Sequence, residues 1–328
     1  MILALIDNAF LSLIGTAIPA STVVVLAATG AMLGERVGVL NLGQEGLIGI
    51  GAVYAVIAVQ TWGVSSPWVA LLIGMVAAAV AGTLFAIAVV FFRANQVLVG
   101  LALALGGIGL SNQLGTNRNG TPITTLFREV NPGGGLDDGG ILEAFLHHDP
   151  VVYVAYLFLP AVLWFVLTRT RHGMNMRAVG ENPAAADAVG VSVVWSRLGY
   201  TILGAAISGA GGAYMVLSFT PTWSPDIARG RGWVALAVVI FASWKPGRVV
   251  AGALLYGTMI SLGTTAQARG WNLPFLGSSD LSFFLSMLPY LVTLVAILIP
   301  AGAAKIGRRV RSNRAPAALA VPYSREER

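Results

Sequence analysis

The stretch ERVGVLNLGQEGLIGIGAVYAVIAVQ occupies residues 35–60 and is apolar over most of its length. Its first part nevertheless contains five charged or amide side chains, namely Glu35, Arg36, Asn41, Gln44 and Glu45. A charged side chain at membrane depth costs about 2.5–3.5 kcal/mol unless it faces a partner or a water-filled cavity. The stretch therefore predicts either a segment outside the membrane or a membrane helix whose polar end has a function.

The composition of the whole chain favours the membrane. Of its 328 residues, 56% are hydrophobic and 10% are charged, whereas a soluble domain carries about 25% charged residues. At about 20 apolar residues per crossing, the length allows roughly eight to ten helices. We expect an all-α, polytopic membrane protein. Its 40 glycines permit broken or re-entrant helical segments, which we also expect.

Nine apolar segments are long enough to cross a membrane, or nearly so. They are residues 8–33, 38–60, 67–92, 96–115, 150–168, 198–220, 233–244, 249–268 and 281–304. The seventh is short and is ended by Lys245, Pro246 and Gly247. The seventh and eighth segments therefore form either two crossings or one broken hairpin.

The basic residues predict the orientation. If the loop 169–197 is cytoplasmic and all nine segments cross, fifteen of the twenty basic residues lie inside, in agreement with the positive-inside rule. The five outside are Arg118, Arg128, Arg229, Arg231 and Arg269. We thus expect one transmembrane domain (1–304), an extracytoplasmic loop (116–149) and a basic cytoplasmic tail (305–328). Topology explains the net charge of +6, so no nucleic-acid partner is expected.

The loop RHGMNMRAVGENPAAADAVGVSVVWSR, residues 171–197, contains a short helix with clear ends. Asn182 can cap a helix that begins at Pro183, and Gly190 suits the position after its end. Alanines favour the helix between them. It either links two spans or provides a rigid contact for a cytoplasmic partner.

Four blocks of sequence occur in a fixed order, namely GERVGVLNLGQEG (34–46), NQVLVGLALALGGIGLS (95–111), RAVGENPAAADAVGV (177–191) and GRGWVALAVVIFASWKPG (230–247). Together they resemble the permease subunits of bacterial ABC importers for nucleosides and simple sugars, a branched-chain amino acid permease-like family. The resemblance covers about residues 35–270. Asn41, Gly43, Glu45 and Gly46 match the N-x-G-x-E-G block of the nucleoside-type permeases.

The resemblance implies a set of partners. They are ABC ATPase subunits, a second permease subunit that is a different homologue, and an extracytoplasmic solute-binding lipoprotein. The expected location is the bacterial plasma (inner) membrane, with the lipid bilayer around the chain, the C-terminus in the cytoplasm, and a small-molecule substrate. No cofactor is expected in this chain, because ATP and Mg²⁺ would be bound by the ATPase subunits. The residues agree, since a Gly-x-x-x-x-Gly-Lys-Ser/Thr phosphate loop is absent.

The resemblance also implies that the helix 181–189 is the coupling helix. Its ATPase-coupling residues would be Arg177, Glu181, Asn182, Pro183, Ala185, Asp187 and Gly190.

Five polar or aromatic residues are candidates for the substrate pathway. Asn41 and Glu45 share a helix face at i and i+4, with Gln44 beside them. They either line the pathway and its inner gate or brace a helix end. Asn112, with its neighbours Ser111 and Gln113, can bond to sugar hydroxyls or base edges, and Trp233 can stack on a ring. Both positions also suit ordinary interfacial residues.

Neither a catalytic nor a metal site is expected. The chain has no cysteine, and His147, His148 and His172 lack metal-ligand spacing. Residues 147–149 are expected to form a solvated loop. The predicted function is the permease subunit of an ATP-driven importer. The alternatives are an ion-coupled secondary transporter with Glu45 as the coupling site, and an intramembrane enzyme.

Overall fold

The structure is a computed structural model that describes residues 2–130, 147–268, 285, 287–288, 291, 294–295, 298 and 315–324. Residues 2–130 and 147–268 contain ten α-helical segments, and a 3₁₀ turn (Thr116–Arg118) follows the fourth. They are α1 (Ile2–Arg36), α2 (Gln44–Gln60), α3 (Pro67–Val90), α4 (Gln96–Gly115), α5 (Pro150–Arg169), α6 (Arg171–Glu181), α7 (Pro183–Ala188), α8 (Val193–Phe219), α9 (Arg231–Ala242) and α10 (Pro246–Ala268). A π-helical turn lies within α5 (Val154–Phe158) and another ends α8 (Met215–Phe219).

The expected all-α, polytopic membrane protein is confirmed. Six of the described helices, α1, α3, α4, α5, α8 and α10, are long and apolar enough to cross a membrane, and α2 and α9 are shorter apolar helices. Where the chain is described, the β-structure is limited to isolated bridges. The ninth apolar segment, 281–304, falls largely outside the described residues.

The sixth segment begins earlier than predicted. Arg197 appeared to end the polar loop, but α8 begins at Val193. The Arg197 side chain is buried, and it donates hydrogen bonds to the carbonyl oxygens of Val37 at 3.1 Å and Val321 at 2.9 Å. An arginine satisfied in this way does not stop a helix.

Two helices form the centre of the molecule. The spans of α1 and α8 are each 72% buried, whereas those of α3, α4 and α5 are 22–33% buried. Small residues allow this close packing: a Cβ added to Gly204 would collide with the backbone of Gly30 on α1, and one added to Gly51 on α2 would collide with Gly209. The outer helices therefore carry most of the surface available to lipid or to another subunit.

The N-termini of the short helices α2 and α9 meet. A Cβ added to Gly232, in the first turn of α9, would collide with the backbone of Gln44 and Glu45 at the start of α2. With 12 residues, α9 is about 18 Å long at 1.5 Å per residue. It is too short to cross a hydrocarbon core of about 30 Å. The expected broken segments are thus present, and they converge on Glu45.

Candidate functional site at the meeting point of two short helices

The Glu45 carboxylate binds the N-terminus of α9. Its Oε1 accepts a hydrogen bond from the backbone N–H of Gly230 at 2.6 Å, and its Oε2 accepts one from Gly232 at 2.7 Å. The first N–H groups of a helix have no partner within the helix and carry partial positive charge. A carboxylate satisfies both needs, and charge-assisted hydrogen bonds are the stronger kind. This polar group is therefore stabilised where the surrounding helices are apolar.

Arg231 lies beside this carboxylate and is buried. It interacts electrostatically with Glu45, and its guanidinium carbon lies 5.7 Å from the centre of the Phe219 ring. The sequence had suggested an outer loop for Arg229 and Arg231 together. For Arg231 this was wrong, because it belongs to the first turn of α9 and Glu45 compensates its charge.

Asn41 lies in the linker before α2, Gln44 is the first residue of α2, and both side chains are buried. The Asn41 Oδ1 accepts a hydrogen bond from the Gly43 N–H at 2.8 Å, and the Gln44 Oε1 accepts one from the Ser208 hydroxyl at 2.6 Å. These contacts fix the turn before α2 and tie it to α8. Neither side chain lines the cavity described next.

A cavity of about 220 Å³ opens in front of Glu45. Ten residues line it, namely Glu45, Gly49, Ile108, Ser111, Asp226, Ile227, Ala228, Arg229, Gly230 and Trp233. It combines two carboxylates, a guanidinium, a hydroxyl and an indole with apolar walls. Such a mixture suits a small, uncharged solute that has hydrogen-bonding groups and an apolar face.

Asn112 reaches the cavity wall through Asp226. The Asn112 side chain donates a hydrogen bond to the Asp226 Oδ1 at 2.9 Å and accepts one from the Asp226 backbone N–H at 2.9 Å. These paired bonds fasten the loop before α9 to the C-terminal part of α4. Of the five pathway candidates, the structure thus brings Glu45 and Trp233 to the cavity, with Asn112 next to it.

Sequence reasoning missed the loop that carries Asp226, Arg229 and Gly230. All three have positive φ angles, of +52°, +46° and +81° respectively. This conformation is uncommon for residues other than glycine. The signal was present in the sequence as charged residues and glycines clustered before an apolar segment that is too short to cross.

A second pair of contacts holds the other end of α9. The buried Glu35 carboxylate accepts a hydrogen bond from the Trp244 indole N–H at 2.6 Å. The Arg36 guanidinium donates to the Trp244 carbonyl oxygen, with the Nε at 3.1 Å. The polar residues of the opening stretch therefore have two tasks, one at each end of the same short helix.

The predicted helix in the loop 169–197 is confirmed as α7. The Asn182 Oδ1 accepts a hydrogen bond from the Ala185 N–H at 3.0 Å, Pro183 is the first residue, and Gly190 follows the end with a φ of +85°. Ala185 is exposed, and the Asp187 carboxylate accepts a hydrogen bond from the Tyr323 hydroxyl at 3.0 Å. Glu181 and Arg177 belong to a preceding helix, α6, which the sequence analysis missed.

The described residues contain no group of three His or acidic side chains that could hold a metal ion. The expectation of a solvated loop at 147–149 was wrong for two of its residues. His148 and Asp149 are each 5% exposed. Asp149 caps α5 and accepts a hydrogen bond from the Ser218 hydroxyl at 2.5 Å, so this segment packs against the end of α8.

Comparison with known proteins identifies a family. The sequence profile of the branched-chain amino acid transport system / permease component family matches residues 13–303. The chain is 32% identical to TsgC13 of Haloferax volcanii, whose name assigns it provisionally to a glucose ABC transporter, over 87% of this chain and 90% of the relative.

Two further relatives are named for nucleosides. The chain is 29% identical to the nucleoside ABC transporter permease protein NupC of Lactococcus lactis, over 87% of this chain and 90% of the relative. It is also 29% identical to the guanosine ABC transporter permease protein NupQ of Bacillus subtilis, over 93% of both chains. No solved structure gives a significant match.

Proposed function

Because the chain belongs to the branched-chain amino acid transport system / permease component family, we propose that it forms the translocation pathway of an ATP-driven importer for a nucleoside or a simple sugar. One observation carries this proposal: the Glu45 carboxylate holds the N-terminus of a half-length helix at the wall of a polar cavity. Discontinuous helices that meet at mid-membrane are the typical surroundings of a transport site.

The proposed solute class rests on the relatives and on the cavity. The three similar permeases are named for glucose, nucleosides and guanosine. A volume of about 220 Å³ suits a single sugar ring or a nucleobase better than a large ligand. Trp233 offers a surface for stacking, and Asp226 and Ser111 offer hydrogen-bonding groups for hydroxyls or base edges.

The proposed mechanism is alternating access without chemistry on the solute. Both Glu45 carboxylate oxygens are used by α9, so this side chain acts by holding the helix rather than by binding the solute. Movement of α9 away from Glu45 would open the cavity toward the side of the membrane at which α1 ends, at Arg36. The cost of exposing the carboxylate and the N–H groups would oppose opening in the resting state.

The proposed partners follow from the same assignment. ATP and Mg²⁺ would be bound by ATPase subunits that contact α7, and a solute-binding lipoprotein would deliver the solute to the opposite face. A second, homologous permease would complete the pathway. We further propose that the loop 169–197 and the C-terminus are cytoplasmic, in the orientation that the basic residues favour.

Reconstitution tests the proposal. The chain would be purified with the ATPase and permease encoded beside its gene, inserted into proteoliposomes, and supplied with the cognate binding protein and labelled guanosine or glucose. We expect uptake that requires ATP inside the vesicles and is insensitive to an uncoupler. Uptake driven by an ion gradient without ATP would overturn the proposal.

A further inference from the structure

Residues 315–324 form a folded segment that packs against the rest of the chain. The Ala318 N–H donates to the Gly180 carbonyl oxygen, at the end of α6, at 2.9 Å. The Ala320 N–H donates to the Gly38 carbonyl oxygen, in the linker between α1 and α2, at 3.2 Å. Two turns stabilise the segment internally. In them the Leu319 N–H donates to the Pro316 carbonyl oxygen, and the Val321 N–H donates to the Ala318 carbonyl oxygen. It is therefore an ordered part of the fold.

Arg197 joins this segment to the linker. Its Nε donates to the Val37 carbonyl oxygen and its Nη1 to that of Val321, and the side chain is 3% exposed. Its Nη2 has no hydrogen-bond partner among the described residues. The free-energy cost of burying a guanidinium is offset only when its hydrogen-bond partners are held in good geometry. The arginine thus fixes the distance between the two backbone segments.

Gly38 shows how closely the two segments approach. Its φ is +85°, and an added Cβ would lie 2.8 Å from the Ala318 carbonyl oxygen and 3.0 Å from the Arg197 Nη2. Both distances are shorter than normal van der Waals contact. The linker and the segment 315–324 therefore have little room to move independently.

The other end of the segment holds α7. The Tyr323 hydroxyl donates to the Asp187 carboxylate at 3.0 Å. The linker that the segment contacts at Gly38 leads directly to Glu45, which holds α9. The segment thus touches both the proposed ATPase contact and the part of the chain that leads to the cavity.

We propose that residues 315–324 act as a brace that passes displacement of α7 to the α1–α2 linker and so to the Glu45 contact with α9. This inference rests on the proposed role of α7 as the ATPase contact. Tyr323 and Arg197 are positioning residues in it, and neither touches the solute. Demonstrated coupling between the two ends, rather than proximity alone, is the necessary test.

The first experiment needs no ATPase. Backbone hydrogen exchange is compared in the purified full-length protein for the unaltered chain, Tyr323→Phe and the control Ala317→Ser, at an exposed position of the same segment. Tyr323→Phe removes one hydrogen bond. The equilibrium constant for local opening of α7, which sets its exchange rate, should therefore rise about fivefold. The brace predicts a similar rise at residues 37–43, at a distance from the substitution, and no change in Ala317→Ser. A rise confined to α7 would overturn it.

The second experiment uses the assembled complex and measures solute transported per ATP hydrolysed. We expect Tyr323→Phe to copurify normally with the ATPase but to transport about fivefold less solute per ATP, the size of one lost hydrogen bond. Ala318→Val, which enlarges a buried side chain at the residue whose N–H binds Gly180, should act in the same direction. Unchanged ratios in both variants, or losses of uptake that only follow losses of assembly, would overturn the brace. If the unaltered chain bound no ATPase, the proposed function would fail instead.

Discussion

Glu35 and Glu45 bind opposite ends of the same short helix. Glu45 accepts hydrogen bonds from the first N–H groups of α9, and Glu35 accepts one from Trp244, just beyond its last residue. The two glutamates flank the linker between α1 and α2. A shift of this linker would therefore change the hydrogen bonds at both ends of α9. This arrangement explains why an otherwise apolar stretch retains two carboxylates.

Glu45→Gln should reduce transport while leaving the protein assembled. A glutamine has one acceptor oxygen, so one of the two N–H groups of α9 would face an NH₂ group instead of an acceptor. Loss of a charge-assisted hydrogen bond costs about 1.5–3 kcal/mol. We expect the uptake rate to fall at least about tenfold, because tenfold corresponds to about 1.4 kcal/mol.

Complex yield and uptake are measured together for this variant. Glu45→Asp is the matched variant, since it keeps the charge but shortens the reach to Gly230 and Gly232. It should also impair uptake, because the geometry as well as the charge holds α9. Wild-type uptake in Glu45→Gln would show that the contact between Glu45 and α9 does not control transport.

Trp244→Phe should destabilise the protein more than Glu35→Gln does. The phenylalanine leaves the buried Glu35 carboxylate, which is 2% exposed, without its indole donor. An unsatisfied buried group costs about 1–3 kcal/mol, and more if it is charged. In Glu35→Gln the amide oxygen still accepts the indole hydrogen bond. Thermal unfolding of the two purified variants tests the order, and equal stability would show that Glu35 does not depend on Trp244.

The sequence predicted the helices better than the site. Apolar segment lengths located the crossing helices, and Asn182, Pro183 and Gly190 located α7, because these signals act over neighbouring residues. The partners of Glu45 lie about 185 residues away in the chain, and local patterns carry no information on such a pairing. The same limit applies to Arg197, which looked like a loop residue until its partners at Val37 and Val321 were known.

Two glycines of α8 should respond in opposite ways to alanine. A Cβ at Gly212 would collide with the Ile48 carbonyl oxygen of α2, whereas nothing lies within 4 Å of a Cβ at Gly199. We expect Gly212→Ala to lower the yield and thermal stability, as overpacking costs about 1–3 kcal/mol. Gly199→Ala should be neutral or stabilising by up to about 1 kcal/mol. Equal effects would contradict the packing of α8 against α2.

Cysteine labelling should verify the proposed orientation in this cysteine-free chain. Ser192 and Ser65 are both exposed, before α8 and after α2 respectively. With the loop 169–197 inside, an impermeant maleimide added to intact cells should label Ser65→Cys strongly and Ser192→Cys only after permeabilisation. The opposite pattern would reverse the topology.

Ala185→Trp should separate membrane insertion from contact with the ATPase. Ala185 is exposed on α7, so the permease has room for a large side chain there, but a partner seated on α7 has not. We expect normal yield and at least about tenfold less copurified ATPase, equivalent to about 1.4 kcal/mol of binding free energy.

Ala185→Pro should have a smaller effect, because Ala185 lies in the first turn, where proline removes only the cap from Asn182, worth about 1 kcal/mol. Thr168→Trp, at an exposed position near the end of α5, is the control and should bind the ATPase normally. Normal copurification and solute-stimulated ATP hydrolysis in Ala185→Trp would show that α7 is not the contact.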